Sequence, residues 1–169
     1  MKNNEYIKPL SEANNLPNRL VYKGLICPYC GNKTEFIDSS FVYKRSYGMI
    51  YICKPCDAYV HVHKGTSKAL GRLANRELRE AKKEAHFHFD KIARTAQINF
   101  IWDEDVAKMN SRQKAYKWLA MQLQIPEPHC HIGMFDVDAC KKVVEICLRY
   151  LKAQTDLPEG DWPEPELPY

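Results

Sequence analysis

Two cysteine pairs carry the most legible chemistry in this chain. Cys27-Pro28-Tyr29-Cys30-Gly31 is answered by Cys53-Lys54-Pro55-Cys56-Asp57, with 22 residues between Cys30 and Cys53. Two cysteines separated by two residues can bend around one ion, and two such knuckles place four thiolates at the corners of a tetrahedron. Zn2+ accepts that arrangement in a closed structural site. The glycine after the first pair and the proline inside the second suit tight turns whose backbone N–H groups point at sulfur. The spacing predicts a zinc ribbon with one structural Zn2+ held by Cys27, Cys30, Cys53 and Cys56. Two redox dithiols or two disulfides are the competing reading of the same residues.

The six histidines also come in pairs, each as His-x-His: His61/His63, His86/His88 and His129/His131. On a strand, residues two apart share a face, so His61 and His63 can converge. On a helix they sit about 200° apart, so His86 and His88 cannot easily grip one ion together. One histidine from each pair, His63, His86 and His131, with Asp90 a turn beyond His86, makes a candidate second polar or metal site. The competing reading is scattered packing or surface groups.

The elements that must position these residues follow from the apolar pattern. Residues 1–19 contain Asn-Asn twice, two prolines and few large apolar groups, as expected of a mobile N-terminal arm. Residues 20–63 read as the ribbon: Leu20, Tyr22, Leu25 and Ile26 as a short strand, then Thr34–Asp38, Phe41–Arg45, Met49–Cys53 and Ala58–His63 as further strands of a small antiparallel sheet. Residues 64–96 are a glycine-bearing basic loop and a long helix capped by Asn75, running to about Thr95, with Leu78, Ala81, Ala85, Phe89, Ile92 and Ala96 on one stripe. Residues 97–153 form a helical subdomain packed on it. Ser111 caps one helix and Asp136 or Asp138 the next, whose buried stripe is Cys140, Val143, Val144, Cys147, Leu148 and Leu151. Cys140 and Cys147 belong to the core, since a free cysteine behaves as a small hydrophobe. Residues 154–169 are an acidic, proline-rich tail. The fold class is α+β, a zinc ribbon followed by a long amphipathic helix and a C-terminal helical pair. The helical pair could imitate a helix-turn-helix, although its connection from Ile125 to Phe135 is longer than that motif's turn.

The net charge of +4 conceals an asymmetry, because five acids and no Lys or Arg lie between Asp156 and Tyr169. The remainder is distinctly basic, which favours a polyanion such as nucleic acid. Candidate contacts are Tyr43, Lys44 and Arg45 on the hairpin, then Lys64, Lys68, Arg72, Arg76, Arg79, Lys82 and Lys83 along the loop and helix. Gly65-Thr66-Ser67-Lys68 is not a phosphate loop, since the Walker pattern needs a glycine directly before its lysine. No run approaches eighteen apolar residues, and residues 1–18 lack the apolar stretch of a signal peptide. A cytoplasmic protein without membrane contact is expected, with Cys130 left as a free thiol like Cys140 and Cys147.

The order of motifs also resembles a family of bacterial and phage proteins known as the zinc-finger-containing domain of unknown function. The resemblance rests on both cysteine knuckles, His63 with Gly65-Thr66, Ala69-Leu70-Gly71, Glu84-Ala85-His86 and Phe89-Asp90, Ser111-Arg112 with Ala115-Tyr116-Lys117-Trp118-Leu119-Ala120, and Cys130-His131-Ile132-Gly133-Met134-Phe135-Asp136. It spans roughly residues 22–150. It implies a zinc site at the four cysteines and is nearly silent on activity.

These observations set three functional expectations. The first is a nucleic-acid-associated binding protein, in which hairpin rings (Phe36, Phe41, Tyr43, Tyr47, Tyr51) stack on unpaired bases while cations hold phosphates. The second is a protein-interaction adaptor that docks through the zinc module and the tail, where Trp162, Leu167 and Tyr169 are the candidate anchors. In the same tail, the acidic strip could cover the basic face. The third is a metal-dependent hydrolase using His86, His131 and Asp90, although no nucleophile elbow, paired-carboxylate motif or HExxH is present.

Overall fold

The computed structural model describes residues 18–94 and 109–155. The N-terminal arm as far as residue 17, most of the connector after the long helix, and the acidic tail with its adaptor and masking roles lie outside the described residues.

The sheet has three antiparallel strands in sequence order: β1 (Glu35–Asp38), β2 (Met49–Cys53) and β3 (Ala58–His61). Register pairs Phe36 with Tyr51, Tyr51 with Val60 and Cys53 with Ala58. Central β2 is the most apolar strand, and four of its five residues are buried. Two expected strands are absent. Leu20 and Tyr22 belong to a short helix, α1 (Asn18–Tyr22), which drives Val21 into the interior. Gly24 ends that turn at φ +80, against the Tyr51 ring, where an added Cβ would meet the ring at 2.6 Å.

Phe41–Arg45 is likewise not a strand, because local side chains satisfy its backbone first. Asp38 accepts from the Ser40 N–H at 2.8 Å and from the Ser46 hydroxyl at 2.6 Å. The Ser39 hydroxyl accepts from the Tyr47 N–H at 2.7 Å. With those groups paired, the chain turns through a 3-10 segment at Ser39–Phe41 instead of adding to the ladder.

Three helices build the larger core: α2 (Arg76–Arg94), α3 (Ser111–Leu123) and α4 (Val137–Thr155). Asn75 caps α2 as the sequence predicts, its side chain accepting from the Leu78 N–H at 3.0 Å. The α3 cap is Asn110, one residue earlier than expected, because Asn110 and Gln113 form a reciprocal capping box that Ser111 cannot complete. Asp136 caps α4 through the Ala139 N–H at 2.9 Å. Leu78, Ala85, Phe89 and Ile92 of α2 meet Trp118 and Leu119 of α3 and Cys140, Val143, Ile146 and Cys147 of α4. Each large side chain buried there stabilises by about 1.5–3 kcal/mol. Leu148, expected in the α4 stripe, is instead 48% exposed, and Ile146 takes the interior place. A smaller core of Cys27, Tyr51, Cys53, Ala58 and Leu73 lies under the sheet. Leu73 reaches it from the segment just before α2. Among the described residues no helix is long and apolar enough to cross a membrane.

Candidate metal centre

The first knuckle forms because Gly31 adopts φ +74, which lets its N–H reach the Cys27 carbonyl at 3.0 Å. The turn is closed by the Cys27 N–H donating to the Asn32 carbonyl at 2.8 Å. The second knuckle repeats the bend with Asp57 at φ +45, a left-handed conformation that aspartate tolerates better than most residues. Strand register delivers Cys53 at the end of β2, opposite Ala58, so the hairpin brings the two knuckles together.

The result is a group of four sulfurs all within 4.8 Å of one another. Cys30 Sγ and Cys53 Sγ are 3.6 Å apart. A tetrahedral zinc site with Zn–S bonds of about 2.3 Å has sulfur–sulfur edges of about 3.8 Å, whereas a disulfide is about 2.05 Å long. All seven cysteines are free, so the covalent alternative does not hold. Backbone N–H groups of Tyr29 and Cys30 are directed at the Cys27 sulfur, and that of Asn32 at Cys30, the outer hydrogen bonding that thiolate ligands need.

Three of these thiols have shifted acidities. Burial pushes Cys27 up to about 11, and hydrogen bonding to Cys30 raises Cys56. The Asn32 N–H draws Cys30 down to about 7. Four adjacent thiolates require a divalent ion to balance them, and this donor set fits Zn2+.

The knuckles are fastened to the long helix. The Tyr29 hydroxyl donates to the Leu73 carbonyl at 3.4 Å and accepts from the Asn75 N–H at 3.1 Å. Arg79 grips the second knuckle through the Asp57 carbonyl at 2.5 Å and the Asp57 carboxylate at 2.6 Å. It also donates to the Ala74 carbonyl at 3.0 Å and lies 4.5 Å from the Tyr59 ring centre.

The remaining cations of the basic track therefore divide. Lys44, Arg45, Lys64 and Lys68 are exposed at one end of the sheet, and Arg76 and Lys83 are exposed on α2. Arg72 is only 5% exposed, and Lys82 is partly buried beneath the loop before α4, where its Nζ donates to the Gly133 carbonyl. Tyr43 turns inward, donating to the Tyr59 hydroxyl at 3.1 Å and stacking on His61 at 5.7 Å. Burial then raises its phenol to about 12.

The histidine site assembles only in part. Asp90 is ion-paired with Arg112, whose other amino group lies 3.4 Å from His86 Nδ1. His131 Nδ1 accepts from the Gly133 N–H at 3.1 Å, and its ring stacks on Tyr116 at 5.6 Å. Among the described residues the four cysteines are the one group of three or more His, Cys, Asp or Glu side chains close enough to share an ion. Sequence reasoning missed Arg112. The signal was a basic residue in the first turn of a helix, where the macrodipole favours an acid.

Four thiolates on two knuckles of a three-stranded sheet define a protein of the zinc-finger class. The chain belongs to the family described as a zinc-finger-containing domain, whose model matches residues 23–150. No curated protein and no solved structure matches it.

Proposed function

We propose that this zinc-binding protein takes single-stranded or unpaired nucleic acid on the hairpin end of its ribbon. The observation that carries the reading is a groove of about 650 Å3 between Phe36, Tyr47, Gly48 and Met49 on one wall and His63–Ser67 on the other. Phe36 and Tyr47 are 41% and 56% exposed, each braced by one neighbouring ring, Tyr51 at 4.7 Å and Tyr43 at 5.4 Å. Arg45 lies 4.7 Å from the Tyr47 ring centre, and Lys64 lines the opposite wall. Rings that stack on bases, flanked by cations that hold phosphates, suit strands whose bases are not already paired. The loop wall is held in place by the Tyr51 hydroxyl, which donates to the Ser67 carbonyl at 3.0 Å. A closed four-thiolate centre has no open coordination position, so its chemistry supports binding over hydrolysis.

The test is fluorescence anisotropy of a labelled single-stranded oligonucleotide with the zinc-loaded chain. Binding should weaken steeply between about 50 and about 200 mM salt. Tyr47→Ala and Phe36→Ala should each weaken it by about tenfold, in line with the loss of one stacked base. No binding at low salt overturns the proposal.

A further inference from the structure

We infer that the corner where Lys82, His86, His131 and Arg112 converge, with Arg72 behind Lys82, is an anion site that takes a phosphate group, distinct from the aromatic groove. Four segments supply it: the stretch before α2 (Arg72), α2 itself (Lys82, His86), α3 (Arg112) and the loop before α4 (His131).

Its floor is fixed by backbone. Gly71 approaches Gly133 so closely that an added Cβ would lie 2.2 Å from the Gly133 oxygen. That oxygen accepts from the Arg72 N–H at 3.2 Å and from Lys82 Nζ at 2.7 Å. Lys82 also donates to the Arg72 carbonyl at 3.4 Å. Arg72 is buried and its charge acts on the partly buried Lys82, and among the described residues neither is ion-paired with a carboxylate. Arg72 Nε is buried with no hydrogen-bond partner. Burial, with Arg72 beside it, draws Lys82 down to about 8. Two neighbouring cations without a carboxylate partner are costly to bury, and an anion is the natural compensation.

The groups around Lys82 continue the same chemistry. Burial lowers His131, helped by Arg112, Lys82 and His63. Burial and Arg112 lower His86, with Asp90 opposing. His131 Nδ1 accepts from Gly133 N–H, and His86 Nδ1 faces the Arg112 guanidinium, which can only donate. Each neutral ring therefore carries its proton on Nε2 and presents a donor. The corner offers ammonium, guanidinium and imidazole N–H groups, while its one carboxylate, Asp90, is already paired with Arg112. A metal needs lone pairs, which this set does not offer. A phosphate needs donors and positive charge, which it does.

The test is isothermal titration calorimetry of the zinc-loaded full chain with inorganic phosphate, and with one short oligonucleotide in 5′-phosphorylated and 5′-hydroxyl forms. Saturable phosphate binding is expected, weakened by about tenfold or more in Arg112→Gln and in His86→Gln, whose side chains lie at the surface end of the corner. Tighter binding of the phosphorylated oligonucleotide identifies a strand end as the source, and equal binding of the two forms identifies free phosphate. Tyr47→Ala should leave phosphate binding unchanged, which separates this site from the groove. Absence of phosphate binding, or equal binding by parent and both variants, overturns the inference.

Discussion

Replacing Arg79 by alanine should unfasten the second zinc knuckle from the long helix without touching a metal ligand. Its guanidinium donates to two backbone carbonyls and one carboxylate and stacks on Tyr59. Asp57 is well exposed, so that ion pair alone contributes only about 0.2–1 kcal/mol. The stacking adds about 0.5–1 kcal/mol. The bonds to the Asp57 and Ala74 carbonyls, made by a side chain only a quarter exposed, contribute about 1 kcal/mol net. The total of about 2 kcal/mol corresponds to a fall in Tm of about 4–8 °C for a chain of this length. Arg79→Lys keeps the charge but loses the fork, so it should recover less than half of the loss. Thermal unfolding by circular dichroism of the zinc-loaded proteins measures both. If Arg79→Ala melts within about 1 °C of the parent while oligonucleotide affinity drops, Arg79 is a ligand contact and the fastening argument fails.

Two further outcomes follow from the same geometry. Native mass spectrometry of protein purified without chelator should show one zinc per chain, lost in Cys53→Ser together with the ordered sheet. A ratio of two that falls to one in His86→Ala would refute the donor-only description of the histidine corner. Gly71→Ala should cost about 2–3 kcal/mol, because its new methyl meets backbone on the far side with no flexible side chain to yield. A denaturation midpoint equal to the parent's would show that the two loops can separate freely.

The parts of the fold legible in sequence are those that a local period or spacing determines. The two Cys-x-x-Cys knuckles and the α2 stripe of Leu78, Ala85, Phe89 and Ile92 are of this kind, and the structure reproduces both. Phe41–Arg45 was misread because its β-forming composition competes with Asp38, Ser39 and Ser46, which satisfy the turn's backbone before a strand can. The split of the basic track was invisible for a different reason. Burial of Arg72 and Lys82 depends on Gly133, far along the chain, and no short window of sequence contains that contact. Charge counts placed Arg79 and Lys82 in one continuous track, whereas the fold gives Arg79 to the knuckle and Lys82 to the corner.

The mooring of both knuckles to the start of α2 bears on how the finger could be excised. A fragment cut after the last sheet residue would lack Leu73, which fills the space under Cys27 and Cys53. It would also lack the backbone partners of the Tyr29 phenol and the arginine that clasps Asp57. Even with its four sulfurs intact, such a piece would hold its ion in a loosened cage. The shortest portable version of this finger therefore extends through the first turn of the helix, at least to Arg79.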